Sequence, residues 1–216
     1  MKKLLAILSI SLLSFLPVAA VNADIGAGIT ISAGNVETSG TETEKTVSGV
    51  TSGTESKTIK EGFIGVSVYA EIRDVMFEGV TLGIDYIPYD IDLGSGNRQD
   101  TSATDSNAGV DTGERSASAE ATDLTTIYAN FPIPGPFYGI LGYHDATVKT
   151  TESLPTSTYP DADVNGIMYG LGLKSEHTKL ELAYSDFDDI SLTSTANTNK
   201  ITADMDAWQL RFSLGF

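Results

Sequence analysis

After residue 23 the chain repeats one simple pattern, with apolar side chains at every second position in segments of about ten residues. The final segment shows it most clearly, since Trp208, Leu210, Phe212, Leu214 and Phe216 alternate with small or polar residues. Successive side chains of a β-strand point to opposite faces, so the alternation predicts strands with one apolar face. A soluble sandwich covers such a face with a second sheet, whereas a transmembrane barrel turns it toward lipid.

Eight segments of this kind are predicted. They cover approximately Asp24–Ala33, Glu61–Ile72, Phe77–Ile87, Thr122–Phe131, Phe137–Val148, Gly166–Leu173, Leu180–Ser185 and Trp208–Phe216. The register of the fourth segment is the least defined, because Leu124, Thr126 and Tyr128 alternate with residues of similar character.

The connections between these segments alternate between long and short. The long ones are Asn35 to about Lys60, Pro88 to about Ala119, Lys149 to Asp163, and Thr193 to Thr202. They are rich in Thr, Ser, Gly and acidic residues and carry little apolar surface to pack, so we interpret them as long mobile loops. An even strand count places both termini on one side, and the long loops then share the opposite side. The pattern predicts an all-β fold, an eight-stranded antiparallel up-and-down transmembrane β-barrel.

The amino terminus has a different character. Two lysines precede an apolar run from Leu4 to Ala20, and Val21 and Ala23 supply small residues at positions −3 and −1 of a cleavage site. The run is interrupted by serines and a proline and falls short of the roughly 20 apolar residues of a spanning helix. We therefore predict that residues 1–23 are a cleaved signal peptide and that residues 24–216 form one barrel domain.

Charge and cysteine content narrow the function classes. The chain has 13 basic and 29 acidic residues, and without the two lysines of the signal peptide its formal charge falls from −16 to −18. Such acidity argues against nucleic acid as a partner, because phosphate binding needs a basic patch. The chain contains no Cys, so disulfides and thiolate metal sites are excluded.

Taken together, these features resemble the small outer-membrane barrels of the OmpA and OmpX type, including the opacity-like surface proteins. The resemblance rests on the signal peptide, the eight alternating segments and the aromatic carboxy terminus. It implies an integral outer-membrane location in contact with outer-membrane lipid and lipopolysaccharide. It also implies that the barrel assembly machinery reads the last strand, with Phe212, Leu214 and Phe216 as the signal.

The interior of an eight-stranded barrel is just wide enough for side chains to fill, so a solute pore is not the first expectation. Glu181 and Arg211 fall on the inward faces of the last two strands, where neighbouring strands place them side by side. We predict that they form a structural interior ion pair, because ionisable groups away from water need partners. A gate or a proton path is the alternative role for the same pair.

Two acidic segments have spacing that is partly typical of calcium loops. Asp161–Gly166 fits the first six positions of the EF-hand pattern, but its twelfth position is Gly172 instead of Glu. Asp105, Asn107 and Asp111 have alternate spacing without the rest of the motif. We therefore predict solvated acidic loops, with no metal site and no cofactor.

Catalysis would need a base with a nucleophile. The two histidines are His144, beside Asp145, and His177, and no Ser stands in a recognisable nucleophile motif. No catalytic residue is predicted. The sequence favours a non-enzymatic outer-membrane barrel with a structural and surface-display role through four polar loops. A narrow porin-like channel for small or hydrophobic solutes is the alternative, and a lipid-modifying enzyme that uses His144 is a third hypothesis.

Overall fold

The fold is an antiparallel β-barrel, seen in a computed structural model that describes residues 24–45, 51–75, 77–100, 113–153, 158–195 and 199–215. The predicted signal peptide, residues 1–23, lies outside these ranges. The strands are β1 Asp24–Lys45, β2 Thr51–Arg73, β3 Thr81–Tyr86, β4 Ile91–Asp100, β5 Gly113–Pro132, β6 Phe137–Glu152, β7 Ala162–Lys174, β8 Thr178–Thr193 and β9 Lys200–Gly215. In the ranges described, no helix is long and apolar enough to cross a membrane.

The sheet closes on itself as a ring of eight strands. Its order is β3-β2-β1-β9-β8-β7-β6-β5-β4, and β3 also pairs with β5. β3 and β4 are two parts of one strand that is interrupted between Tyr86 and Ile91, where Pro88 removes a ladder donor. The predicted eight-stranded antiparallel up-and-down barrel is therefore confirmed.

Large apolar side chains cover the outside of the lower part of the barrel, which we call the belt. Its exposed members include Ile25 at 75%, Ile64 at 80%, Leu171 at 64% and Leu182 at 54% exposure. The predicted alternation is confirmed in β2 and β7, where exposed apolar residues such as Ile64, Val66, Ile167 and Leu171 alternate with buried or partly buried ones. In a soluble protein so many exposed apolar side chains would be unusual, whereas in hydrocarbon they are the expected surface.

The interior has two zones along the barrel axis. Near the short turns it is lined by charged and polar side chains, including Glu71, Asp85, Glu181 and Arg211. Toward the opposite end lies a buried apolar cluster, which we call the upper core. Its buried members are Val36, Ile87, Ile91, Leu93, Ala121, Ala146, Val148, Tyr159, Val164, Ile190, Leu192, Met205 and Ala207.

The prediction of long mobile loops was wrong for most of their length. Residues 35–45 and 51–60 form the upper halves of β1 and β2, which pair from Asn35–Gly62 to Lys45–Thr51, while residues 46–50 lie outside the described ranges. Likewise, β4 and the start of β5 occupy much of Pro88 to Ala119, while residues 101–112 lie outside the described ranges. The polar segments form strands because the ladder satisfies their backbone groups and because Thr has a high strand propensity.

The bounds of three other strands also differ from the prediction. The third strand begins at Thr81 instead of Phe77, β6 continues through Lys149 to Glu152, and β8 continues past the acidic stretch 186–189 to Thr193. In β5 a bulge at Asp123, which has a φ of 57°, changes the alternation. Below this bulge Thr126 and Tyr128 are buried and Ile127 is exposed, which defines the register that the sequence left open.

Above the belt, the neighbouring strands β2 and β4 are not joined by a hydrogen-bonded ladder. β2 pairs with β3 only from Val68 to Arg73, and in the described ranges no ladder joins the rest of β2 to β4, although Gly94 lies close to Ile59. At the lower end of this gap, which we call the seam, the Tyr89 hydroxyl accepts a hydrogen bond from the Val66 backbone N–H. A side chain there takes the place of the missing strand carbonyl.

The upper halves of β1 and β2 provide a test of the fold. Ser39 and Thr41 lie in β1 between two ladders, so their amide hydrogens should exchange at least ~100-fold more slowly than that of Gly135, which lies in an exposed turn. Hydrogen exchange followed by NMR in detergent micelles measures this difference. Exchange at Ser39 as fast as at Gly135 would restore the mobile-loop interpretation.

Candidate functional site

The polar zone is centred on Arg211, which projects inward from β9. Its Nη2 lies 2.8 Å from Asp85 Oδ2 and its Nη1 lies 3.3 Å from Glu181 Oε2. β8 and β9 place Glu181 directly opposite Arg211, which brings the two residues of the predicted ion pair together. Asp85 was not predicted as a partner of this pair, since β3 and β9 are not adjacent and Asp85 approaches from across the interior.

A second group of charges lies closer to the turns. Glu71 binds Lys179 Nζ at 2.7 Å and Arg73 Nε at 3.0 Å, and Arg73 Nη1 also contacts Asp24 Oδ2 at 3.2 Å. Lys179 Nζ lies 4.1 Å from the centre of the Tyr69 ring, a cation–π distance. Each buried carboxylate in this zone therefore has a cationic partner, as the cost of desolvation demands.

Large side chains fill the remaining cross-section. Tyr138 donates a hydrogen bond of 2.7 Å to Glu181, and Tyr128 donates one of 3.1 Å to Glu71. Met168 is fully buried, with its Sδ 3.7 Å from Arg211 Nη1. Small residues on the neighbouring strands make room, because a Cβ at Gly172 would lie 2.3 Å from the Tyr138 ring and one at Gly83 would lie 2.3 Å from the Tyr128 ring. The polar zone is packed like a protein core.

His144 lies above Arg211 and is hydrogen-bonded through both ring nitrogens. Its Nδ1 is 2.7 Å from Thr126 Oγ1 and its Nε2 is 2.8 Å from Ser185 Oγ, while its ring stacks on Phe187 at 5.1 Å. Both members of this Ser–His pair are buried, with Ser185 1% exposed. His177, in contrast, is exposed at the turn between β7 and β8.

The upper mouth of the barrel is covered by the segment before β7. Tyr159 is 4% exposed within the upper core, and its hydroxyl donates to Glu42 of β1 at 3.2 Å. Thr195 holds this segment, because its N–H donates to the Thr158 carbonyl at 2.8 Å. The upper end of the interior is thus occupied by side chains.

On the outside, aromatic and acidic rows mark the upper edge of the belt. Tyr184 lies between Tyr169 and Trp208, with ring centres 5.2 and 4.8 Å away. One step above, Asp206 is flanked in the ladder by Asp186 and Glu37. This change from aromatic to acidic side chains is typical of the boundary between hydrocarbon and water.

The structure also places the residues of the predicted assembly signal and of the EF-hand-like stretch. Phe212 and Leu214 face outward in the lower belt, and Phe216 lies outside the described residues. The EF-hand-like stretch runs directly into β7, so Asp163 and Asn165 are strand residues and no calcium loop forms there. Within the described part of the chain, no group of three or more His, Cys, Asp or Glu side chains is arranged to hold a metal ion.

Comparison with known proteins supports the fold and leaves the family open. No family model and no curated protein matches the chain, whereas 27 solved chains resemble it in structure. OprG, an outer-membrane protein of Pseudomonas aeruginosa, has a TM-score of 0.51 and 12% identity over 88% of this chain and 96% of its own. The chain has the fold of a small outer-membrane β-barrel.

Two further structures show weaker likeness. Ail, the attachment invasion locus protein of Yersinia pestis, in complex with sucrose octasulfate, has a TM-score of 0.40 and 14% identity, over 89% of this chain and 99% of its own. The outer-membrane protease OmpT of Escherichia coli has a TM-score of 0.46 and 10% identity, over 91% and 98%.

The interior charges of this barrel can be tested by substitution. Arg211→Met leaves Asp85 and Glu181 buried without their cation, so the free energy of unfolding should fall by about 3–5 kcal/mol. The matched control is Lys60→Met, because Lys60 pairs with Glu37 on the exposed outer face and its loss should change stability little. Urea unfolding of the barrel in lipid vesicles measures both. Equal, small effects of the two substitutions would show that the interior charges are well solvated.

Proposed function

We propose that this protein is an integral outer-membrane barrel with a structural and surface-display role and no catalytic one. The observation that carries the proposal is the combination of a lipid-facing belt, a filled interior and strands that continue far beyond the belt. The fold of OprG supports the barrel class. The display role comes from the geometry of this chain alone.

The belt supports a membrane environment. Its apolar side chains lie on all sides of the ring and end at the aromatic row of Tyr169, Tyr184 and Trp208. Outer-membrane lipid and lipopolysaccharide are therefore the proposed surroundings. During biogenesis, the outward aromatic and aliphatic side chains of β9, including Phe212 and Leu214, are the proposed signal for the barrel assembly machinery.

The interior supports a role other than conduction. Arg211, Tyr138 and Met168 close the polar zone, and the upper core and Tyr159 close the other half. A water-filled path would need these buried residues to line a channel in contact with solvent. Planar bilayers that contain the protein should therefore show no steady current.

The upper strands support display. β1 continues from Asn35 to Lys45, which at about 3.3 Å per residue is roughly 35 Å of strand above the belt. Hydrogen bonds between side chains stiffen the outer face, as in Ser39–Thr58 and Thr41–Ser56, both at 2.9 Å. The upper halves of the described strands thus form a polar wall that extends away from the belt.

Single cysteines test orientation and display together, because the chain has none of its own. Thr54→Cys lies at the top of β2 and should react with a membrane-impermeant maleimide on intact cells. Ser175→Cys, in the short turn after β7, should react only after the outer membrane is permeabilised, and Leu171→Cys in the belt should be protected by lipid. Labelling of Ser175→Cys on intact cells, or of all three sites in a soluble fraction, contradicts the proposal.

The seam favours one second candidate, the passage of small hydrophobic solutes through the side of the barrel. It lies beside the upper core, where Ile91 and Leu93 of β4 are buried next to the unpaired edge. An apolar molecule that entered there would meet apolar side chains and no buried charge. This candidate requires the upper core to open, whereas the display role does not.

A paramagnetic fatty acid distinguishes this second candidate. Met205 belongs to the upper core and Met168 to the polar zone, so entry through the seam would broaden the Met205 methyl signal and leave Met168 unchanged. In the display role without transport, both methyl signals stay sharp. Broadening of both to the same extent would indicate unspecific contact and would exclude passage through the seam.

A further inference from the structure

The short turns at the lower end of the barrel differ in chemical character around the ring. The turn between β2 and β3 exposes Phe77, which is 70% accessible. The turn between β5 and β6 exposes Ile133, at 40%, within the proline-rich stretch 132–136. In contrast, the turn between β7 and β8 exposes the side chains of Glu176 and His177, at 87% and 68%. Neither the structural role nor the display role accounts for this asymmetry.

The two apolar turns lie side by side, and the polar turn lies away from them. β3 and β5 are paired down to Thr81 and Asn130, so the turns that follow are neighbours. A Cβ at Gly79 of one turn would lie 3.0 Å from the Pro132 Cβ of the other. In the ring order, the turn between β7 and β8 is three strands away from the turn between β2 and β3 in either direction. The asymmetry is therefore one of opposite sides of the barrel.

Both apolar turns hold their exposed side chains in fixed positions. Next to Phe77, the Gly79 N–H donates a hydrogen bond of 2.7 Å to Asp74 Oδ1. In the other turn the Ile133 N–H donates to the Phe137 carbonyl at 3.0 Å, and prolines on either side of Ile133 restrict the backbone. The exposure of these apolar side chains is thus a property of the folded turns.

The apolar surface of the turns continues that of the belt. Phe131 at the end of β5 and Phe137 at the start of β6 are exposed belt residues, one on each side of the 132–136 stretch. We call Phe77, Phe131, Ile133 and Phe137 the turn patch. An exposed apolar patch marks a contact with lipid or with a protein. Continuity with a lipid-facing belt favours lipid as the partner.

We propose that the turn patch inserts into the phospholipid leaflet at the turn end of the barrel, while the polar turn between β7 and β8 remains in water. The aromatic rings then lie at the boundary between acyl chains and headgroups, where barrels carry aromatic girdles. Glu78, which is exposed beside Phe77, limits the depth of insertion, because its carboxylate must remain hydrated. This inference rests on the membrane location proposed above.

Unequal insertion has a consequence for the orientation of the barrel. The strands form one closed ring, so deeper insertion at β2 and β3 than at β7 and β8 inclines the barrel axis from the membrane normal. The seam lies on the inserted side, because β4 continues the strand that β3 begins. The lower end of the seam, at Tyr89, is thereby brought toward the hydrocarbon of the opposite leaflet.

Single tryptophans on the full chain test the proposal in phosphatidylcholine vesicles. Trp208→Phe removes the one native tryptophan, and Phe77→Trp or Ile133→Trp then reports on the turn patch. His177→Trp is the matched control at the polar turn, and Leu171→Trp is the control within the belt. Lipid brominated in the acyl chain near the headgroup should quench Phe77→Trp and Ile133→Trp at least about threefold more strongly than His177→Trp, since girdle residues contact acyl chains. Aqueous iodide should show the opposite order.

The two controls separate the possible failures. Bromine quenching of Leu171→Trp together with equal quenching of Phe77→Trp and His177→Trp overturns the turn patch and leaves the membrane location intact. Absence of bromine quenching from Leu171→Trp as well contradicts both. Iodide quenching of Phe77→Trp as strong as that of His177→Trp would show a surface left free for a protein partner, and it also overturns the proposal. Ile133→Trp keeps the comparison decisive if Phe77→Trp prevents folding.

Discussion

The backbone hydrogen bonds of the ladder are the interaction on which this structure depends, because hydrocarbon offers no partner for a free N–H or C=O group. Closure through the pairing of β3 with β5 satisfies both edges of the belt at once. Once the ring is closed, alternation assigns each residue to lipid or to the interior. Which side chains form the belt and which fill the interior is therefore a consequence of that closure.

The dense packing of side chains inside the belt follows from the narrow diameter of an eight-stranded ring. Charged residues there are stable only in groups, so Arg211 bridges Asp85 and Glu181, and Glu71 accepts from both Lys179 and Arg73. The tyrosines that fill the space also donate to these carboxylates. Packing and charge neutralisation are therefore achieved by the same residues.

Above the belt, the backbone N–H and C=O groups need not all pair within the sheet, because water can hydrogen-bond to them. The strands nevertheless continue, and the upper core forms inside them as it would in a soluble barrel. The seam between β2 and β4 is tolerated only at this level. The Tyr89 hydroxyl accepts a hydrogen bond from the Val66 N–H. Tyr89 therefore lies at the lower end of the seam, where the closed ring of the belt gives way to strands that are not paired between β2 and β4.

The sequence by itself determined the strand class, the outward faces of β2 and β7, and the position of Glu181 opposite Arg211, because strict alternation and local cross-strand pairing depend only on near neighbours along the ladder. Strand length and the third partner Asp85 were decided only by the tertiary structure. Polar Thr-rich segments have no apolar period to mark them as strands, and residues that meet across the interior come from strands that are not adjacent. Ring closure alone brings them together.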